Sequence, residues 1–221
     1  MQITVKQNGF SLIELMMSMT VGLLLTSGVI TMFTGSLKNT NEFVLLTKLD
    51  QDLQGVMDLI ASEIRRTGYD GDSIDGDDTN FGVENNSTSN CLLYSYDDKS
   101  SGMLGMKDTG DYYGIRHSNN QVFFGKYTID CTSGYWNPIN DVNTVQITDL
   151  TFTYNDLCLN LVDNSDCTVI TSSSPSSGDK LLWKKQIQIS ITGNYTNDSN
   201  NYSRTITNTV RLYNDVLQTY P

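Results

Sequence analysis

The sequence predicts an α+β chain in which one long N-terminal helix carries a β-rich head. Three observations predict it. From Phe10 to Phe33 the only charged side chain is Glu14. Between Phe43 and Ile64 apolar residues recur at three- and four-residue steps, the period of a helix with one buried face. From Cys91 onward the chain turns to short β-branched or aromatic runs separated by Gly, Asn and Asp clusters.

The apolar run comes first. About 24 residues rising 1.5 Å each give a helix of roughly 36 Å, enough to cross a bilayer core of about 30 Å. A mostly polar leader, Met1 to Gly9, precedes it with one cation, Lys6. By the positive-inside rule Lys6 keeps the leader cytoplasmic and puts the rest of the chain across the membrane. A secretory signal would have a shorter apolar core and a small-residue cleavage site, whereas this run leads into Gly35, Ser36, Leu37 and Lys38. A plain signal anchor would leave the position of Gly9 and the intramembrane carboxylate of Glu14 without a reason.

The stretch Gly9-Phe10-Ser11-Leu12-Ile13-Glu14-Leu15 resembles the prepilin processing motif of type IV pilins and of the pseudopilins of type II secretion. The resemblance implies a pilin-like fold: a helix with a membrane-spanning first half and an amphipathic second half, packed on an antiparallel β-sheet head. It also implies cleavage after Gly9 by a prepilin peptidase, methylation of the new N-terminal residue Phe10, and use of Glu14 in filament assembly. The expected divisions are a leader at 1–9, a long helix at 10–66 of which 10–33 is transmembrane, and a head at 67–221.

In the second half of the helix Phe43, Leu46, Leu49, Leu53, Met57, Ile60 and Ile64 form the apolar stripe, with Asp50, Asp52, Gln54, Asp58, Glu63 and Arg65 between them. The stripe is too short for a heptad coiled coil and suits packing on the head. Gly22, Gly28, Gly35 and Gly55 each weaken the helix by about 1 kcal/mol relative to alanine; within a membrane Gly22 and Gly28 also permit close helix approach. Arg65 and Arg66 suit a helix C-terminus, and Gly68 suits a left-handed cap. Leu49-Asp50-Gln51-Asp52-Leu53-Gln54 followed by Ile64-Arg65-Arg66-Thr67-Gly68-Tyr69 is similar to the PilW-type minor pilins, which are related to the J-type minor pseudopilins. Two departures stand out. The proline that many major pilins carry in the helix would fall at Thr31, and the cysteine that many PilW-type chains place after Gly-Tyr is absent, with Asp70 and Asp72 nearby.

Residues 70–90 read as an exposed loop. Asp70, Asp72, Asp75, Asp77 and Asp78 supply the hard oxygens calcium prefers, but their spacing does not match an EF-hand, and a solvated acidic loop is the simpler reading. Strands are expected over 91–96, 112–116 and 121–129, with His117-Ser118 leading into an Asn119-Asn120 turn. A stronger strand is expected over 142–154, where the alternation changes phase through a bulge near Asp149. Residues 155–178 form a Ser-, Asn- and Asp-rich excursion, either a pinned loop or a contact surface for a neighbouring subunit. Ile187, Ile189 and Ile191 share one face, and Ile206, Val210 and Leu212 repeat the pattern after a turn at 194–201, giving a terminal hairpin. The single apolar face of these strands would cover the helix stripe from Phe43 to Ile64. The sequon Asn194-Tyr195-Thr196 is expected by chance in so Asn- and Thr-rich a chain.

The cysteines are Cys91, Cys131, Cys158 and Cys167, without a C-x-x-C pair, and His117 is the only histidine, so the residues do not suggest a zinc site. An exported chain makes two disulfides the default. Three pairings are possible; Cys91–Cys131 with Cys158–Cys167 is preferred, the second stapling a local loop and the first tying an early strand to a middle one. The formal charge of −11 opposes nucleic-acid binding and favours a soluble head. No nucleophile elbow, P-loop, dinucleotide fingerprint or HExxH occurs, so no catalytic residue, metal or cofactor is expected. His117 reads as a surface residue; Tyr112, Tyr113, Tyr135 and Trp136 suit core and turn packing or an aromatic ligand patch.

With the resemblance, these residues predict a minor pilin of the type IV pilus, acting in its initiation complex or at its tip. Expected partners are other minor and major pilins, the prepilin peptidase and the inner membrane. The expected location is the bacterial inner membrane, single-pass with a periplasmic head, and after assembly the pilus tip at the cell surface. The alternatives are a minor pseudopilin at the tip of a type II secretion pseudopilus and a membrane-tethered adhesin head.

Overall fold

The computed structural model describes residues 9, 11–70, 82–98, 107–167, 177–196, 202–212 and 215–220. Outside these lie most of the expected leader, Phe10, Asp72, Asp75, Asp77 and Asp78 of the acidic loop, residues 168–176 of the excursion, and most of the 194–201 turn. The chain is an α+β arrangement of one long helix followed by antiparallel sheets. Helix α1 spans Leu12–Arg66. Its residues up to Thr47 belong to one compact unit and those from Lys48 onward to a second.

In the first unit the helix is uncovered. Every described residue from Ser11 to Thr40 is exposed, including Leu12 at 80% and Phe33 at 62%. α1 is the one described helix long and apolar enough to cross a membrane.

Among the described residues of the second unit ten strands follow: β1 (Cys91–Ser95), β2 (Tyr112–Ser118), β3 (Gln121–Lys126), β4 (Tyr135–Pro138), β5 (Val145–Tyr154), β6 (Leu157–Asn160), β7 (Lys180–Lys184), β8 (Gln186–Tyr195), β9 (Ser203–Arg211) and β10 (Val216–Thr219). They form three antiparallel sheets of order β1-β2-β3-β4, β5-β8-β9 and β10-β7-β6. The third continues the second. β6 follows β5, β7 precedes β8 and β10 follows β9, and the break is stitched by Asn155 N to Gln186 O (3.0 Å), Gln186 N to Asp156 Oδ1 (3.3 Å) and Leu212 N to Lys185 O (3.0 Å).

Alternation explains the second sheet. In β8 Ile187, Ile189 and Ile191 are fully buried while Gln188, Ser190 and Thr192 are not. The register of β5 on β8 slips between Ile147 and Asp149, the bulge that lets Ile147, Leu150 and Phe152 all face inward. These strands meet Leu49, Leu53, Val56, Met57, Ile60, Ala61 and Ile64 of α1, and Leu92, Tyr94 and Ile115 of the first sheet complete one core.

Several expectations are corrected. The buried stripe begins at Leu49; Phe43 and Leu46 are 70% and 40% exposed. The second sheet ends at Val145 and Tyr195, with Gly193 packed against Leu53. The strand expected over 121–129 stops at Lys126, because Tyr127 turns to φ 59° and the chain bends toward the Cys131 bridge. The strand expected from 142 starts at Val145, since Asp141 accepts from Asn143 N and Thr144 Oγ1 and holds a turn. The excursion over 155–178 is not all loop: β6 pairs with β7 through Leu157↔Lys184 to Asn160↔Leu181. Four-residue strands such as β4 and β10 are too short to show a period.

Candidate processing and assembly site

At the N-terminus Gly9 is exposed, with open space where a Cβ would stand. Two residues on, Ser11 starts the helix by accepting from Glu14 N (3.0 Å) and Leu15 N (3.2 Å) through its carbonyl. Glu14 therefore lies in the first turn, where a negative side chain complements the helix dipole. Phe10 lies outside the described residues.

The apolar segment handles its other polar groups internally. Ser18 donates to Glu14 O (2.7 Å), Thr20 to Met17 O (2.9 Å), Thr26 to Gly22 O (2.7 Å), Ser27 to Leu24 O (2.8 Å) and Thr31 to Ser27 O (2.8 Å). These are all the hydroxyl side chains between Leu12 and Phe33. Each is returned to the preceding turn. Glu14 is thus the one side chain of this segment whose polarity the helix does not absorb. The hydroxyl spacing was visible in the sequence; that every one folds back became visible only in the helix.

The head end of α1 is fixed by an aromatic seam. Thr67 N closes on Ile64 O (3.0 Å), Gly68 takes φ 79°, and its N–H donates to Ser95 O of β1 (3.0 Å). The left-handed glycine thus turns the chain and ties it to the sheet. Tyr96 and Tyr113 stack with ring centroids 4.2 Å apart, and the Arg66 guanidinium lies 4.2 Å from the Tyr96 centroid on this stack. Tyr94 and Tyr96 donate to Glu63 Oε2 at 3.4 and 3.3 Å, and Tyr113 donates to Asp98, which Lys126 also meets at 3.2 Å. Burial, then the Glu63 charge, raises the Tyr94 phenol well above its ordinary range and pushes Tyr96 up to about 12. Burial and the bond to Asp98 raise Tyr113 as well.

The other candidates sort as follows. Cys91 is bonded to Cys131 and Cys158 to Cys167. His117 is half-buried rather than a free surface residue; its Nε2–H donates to Ile147 O at 2.6 Å and ties β2 to β5. The four aromatics do not form one patch. Tyr113 is in the seam, Tyr135 is 75% exposed, Tyr112 lies beside Lys107, and Trp136 stacks on Arg116 at 4.4 Å. Trp136 occupies a slot between the facing glycines Gly114 and Gly125, where an added Cβ would stand 2.7 and 2.9 Å from its ring. Among the described residues no group of carboxylates, cysteines or histidine could hold a metal ion.

The family model of the prokaryotic N-terminal methylation motif matches residues 5–30, the segment holding Gly9, Phe10 and Glu14. No curated protein and no solved structure matches the chain. The family model of prepilin peptidase-dependent protein B matches residues 43–212, from the amphipathic part of α1 through the last core strand. With more than half its length matched, and a methylation motif ahead of it on a helix fit to anchor it in a membrane, this type IV pilin-like minor pilin belongs to the prepilin peptidase-dependent protein B family.

Proposed function

We propose that the chain is a PilW-like minor pilin that takes part in type IV pilus assembly, in the initiation complex or at the filament tip. In this reading a prepilin peptidase removes the leader 1–9 by cutting after Gly9, and Phe10 becomes the methylated N-terminus. The segment 10–33 then holds the subunit in the inner membrane with the head, 67–221, in the periplasm, until assembly with other pilins draws it into the filament. The observation that carries the reading is Glu14, the one charge in an apolar segment whose hydroxyls between Leu12 and Phe33 are all bonded to their own helix. A carboxylate in hydrocarbon costs several kcal/mol unless it is paired. The positive N-terminal amine of Phe10 on an adjoining subunit would pair with it and fix the axial stagger between the two.

The test is Glu14→Ala in the full chain. Membrane insertion is expected to stay intact, while co-purification with partner pilins falls by about tenfold, the loss of an interaction near 1.4 kcal/mol. Equal recovery of mutant and wild type would sink the role of Glu14. As a second arm, Gly9→Val should leave the leader attached, seen as an unshifted precursor mass. Recovery of secretion components in place of pilus components would move the chain to the pseudopilins.

A further inference from the structure

The second sheet leaves one long edge open. Among the described strands β9 pairs only with β8, in an unbroken register from Gln186↔Arg211 to Asn194↔Ser203. Leu212 N donates to Lys185 O (3.0 Å), and this bond sets the phase of the ladder. Arg204, Ile206, Asn208 and Val210 then exchange bonds with β8, and the residues between them do not. The contact of Thr192 Oγ1 with Thr205 Oγ1 at 2.8 Å fits that phase, because side chains stand closest at non-bonded pairs. The N–H and C=O groups of Thr205, Thr207 and Thr209 therefore point away from the sheet. All three residues are exposed, and none of these groups meets backbone among the described residues. β5, the other outer strand, is less open, since Ile147 N donates to Asn120 O (3.0 Å) and Phe152 N to Ser89 O (2.8 Å).

Native edges are commonly blunted by lysine, proline, a bulge or a short length. β9 runs for 9 residues with neither lysine nor proline and with no slip in its register. Its two charges are held by carboxylates of the same chain, Arg204 by Asp50 (3.2 Å) and Arg211 by Asp215. Where β9 ends, a pocket of about 310 Å³ is lined by Arg65 of α1 and by Thr209, Val210, Arg211 and Leu212. Successive strand residues face opposite sides of a sheet, so four in a row line one pocket only along the strand's edge. Val210 and Leu212 give the pocket an apolar wall. Arg65 gives it a guanidinium that makes no hydrogen bond or ion pair among the described residues.

We infer that the outer edge of β9 takes up an extended segment of a partner protein as one more strand, with a glutamate of that segment seated in the pocket against Arg65. Main-chain bonds to Thr205, Thr207 and Thr209 hold the segment, and the pocket sets its register. Outward N–H and C=O groups at every second residue match the spacing of another extended backbone. A glutamate matches the pocket, its methylenes against Val210 and Leu212 and its carboxylate on the guanidinium. β9 itself has no carboxylate, so the β9 of a second copy would bring arginine rather than acid to Arg65. Gly9 and Glu14 take no part, so the inference does not rest on the assembly reading above.

The test uses the full chain in detergent micelles, with empty micelles as the blank. The probes are fluorescent peptides of alternating threonine and valine with a polar tail, carrying glutamate or lysine at the centre, and binding is read by anisotropy. The glutamate peptide is expected to bind about tenfold tighter than the lysine peptide, and Arg65→Ala should abolish that preference at an unchanged melting temperature. Thr207→Pro removes one outward N–H at a position where an edge strand tolerates proline, and should abolish binding of both peptides. A further arm leaves the protein unaltered. Methyl groups on alternate peptide nitrogens should abolish binding in one phase and spare it in the other, because only every second amide faces β9. The inference is overturned if no peptide binds, if both methylation phases act alike, or if glutamate keeps its advantage on Arg65→Ala. Slow deuterium exchange at the Thr205, Thr207 and Thr209 amides of the free chain would also overturn it, since the chain itself would then cover the edge. Self-association of the wild type that Thr207→Pro removes would assign the edge to a second copy and overturn it likewise.

Discussion

Tyr94, Tyr96 and Tyr113 place three phenols at the seam where α1 meets the first sheet, and their ionisation is coupled to folding. Each is held neutral in the fold, with its pKa raised above the ordinary 10.0. In the unfolded chain all three lose their protons near pH 10, whereas Tyr96 in the fold keeps its own to about 12. Above pH 10 the unfolded state therefore binds fewer protons, and stability falls as pH rises. The stabilising contribution is fully present below pH 10 and is lost through the window from 10 to 12. Titration at 295 nm should show the cluster ionising together with loss of the near-ultraviolet dichroism, and Tyr96→Phe should move that transition to higher pH. Ionisation of all tyrosines near pH 10 with the fold intact would contradict the seam. The methylation motif over residues 5–30 was legible in the sequence because it is contiguous, whereas the seam joins Glu63, Tyr96 and Tyr113 through register. His117 was misread for the same reason: its partner, the Ile147 carbonyl, is thirty residues away.

Among the elements, the two disulfides do different work. Cys91–Cys131 spans 40 residues and ties the first strand to the bend after β3, while Cys158–Cys167 spans 9 and closes one loop beside β6. Chain entropy then assigns about 4 kcal/mol to the longer bridge and about 2.5 kcal/mol to the shorter. Denaturant unfolding of the Cys91→Ser/Cys131→Ser and Cys158→Ser/Cys167→Ser pairs should rank them in that order, and a larger loss for the second pair would show that its loop holds up the third sheet. Elements with a sustained period were legible: α1, β5, β8 and β9 follow from spacing. β4, β6, β7 and β10 were not, because each has four or five residues and borrows its order from a neighbour. β6 was further hidden inside a stretch whose composition reads as loop.

At the scale of the whole molecule, α+β architecture and the split between an apolar and an amphipathic half of α1 followed from the apolar run and the spacing of apolar residues after it. The division into three sheets did not, because it depends on β6 pairing with β7 inside a stretch read as an excursion, and on the breaks at Asn155, Lys185 and Leu212. A chain beginning at Lys48 has its own core and should remain soluble without detergent and melt cooperatively by far-ultraviolet dichroism. Detergent dependence of that fragment would mean that residues before Lys48 complete the fold. The hydroxyls that fold back along α1 carry one more consequence. A segment that shows its neighbours only carbon and sulfur apart from Glu14 is solvated about as well by acyl chains as by the flanks of similar helices. The difference between the two surroundings then rests on the single carboxylate of Glu14, and the remaining side chains of the segment leave that choice to it.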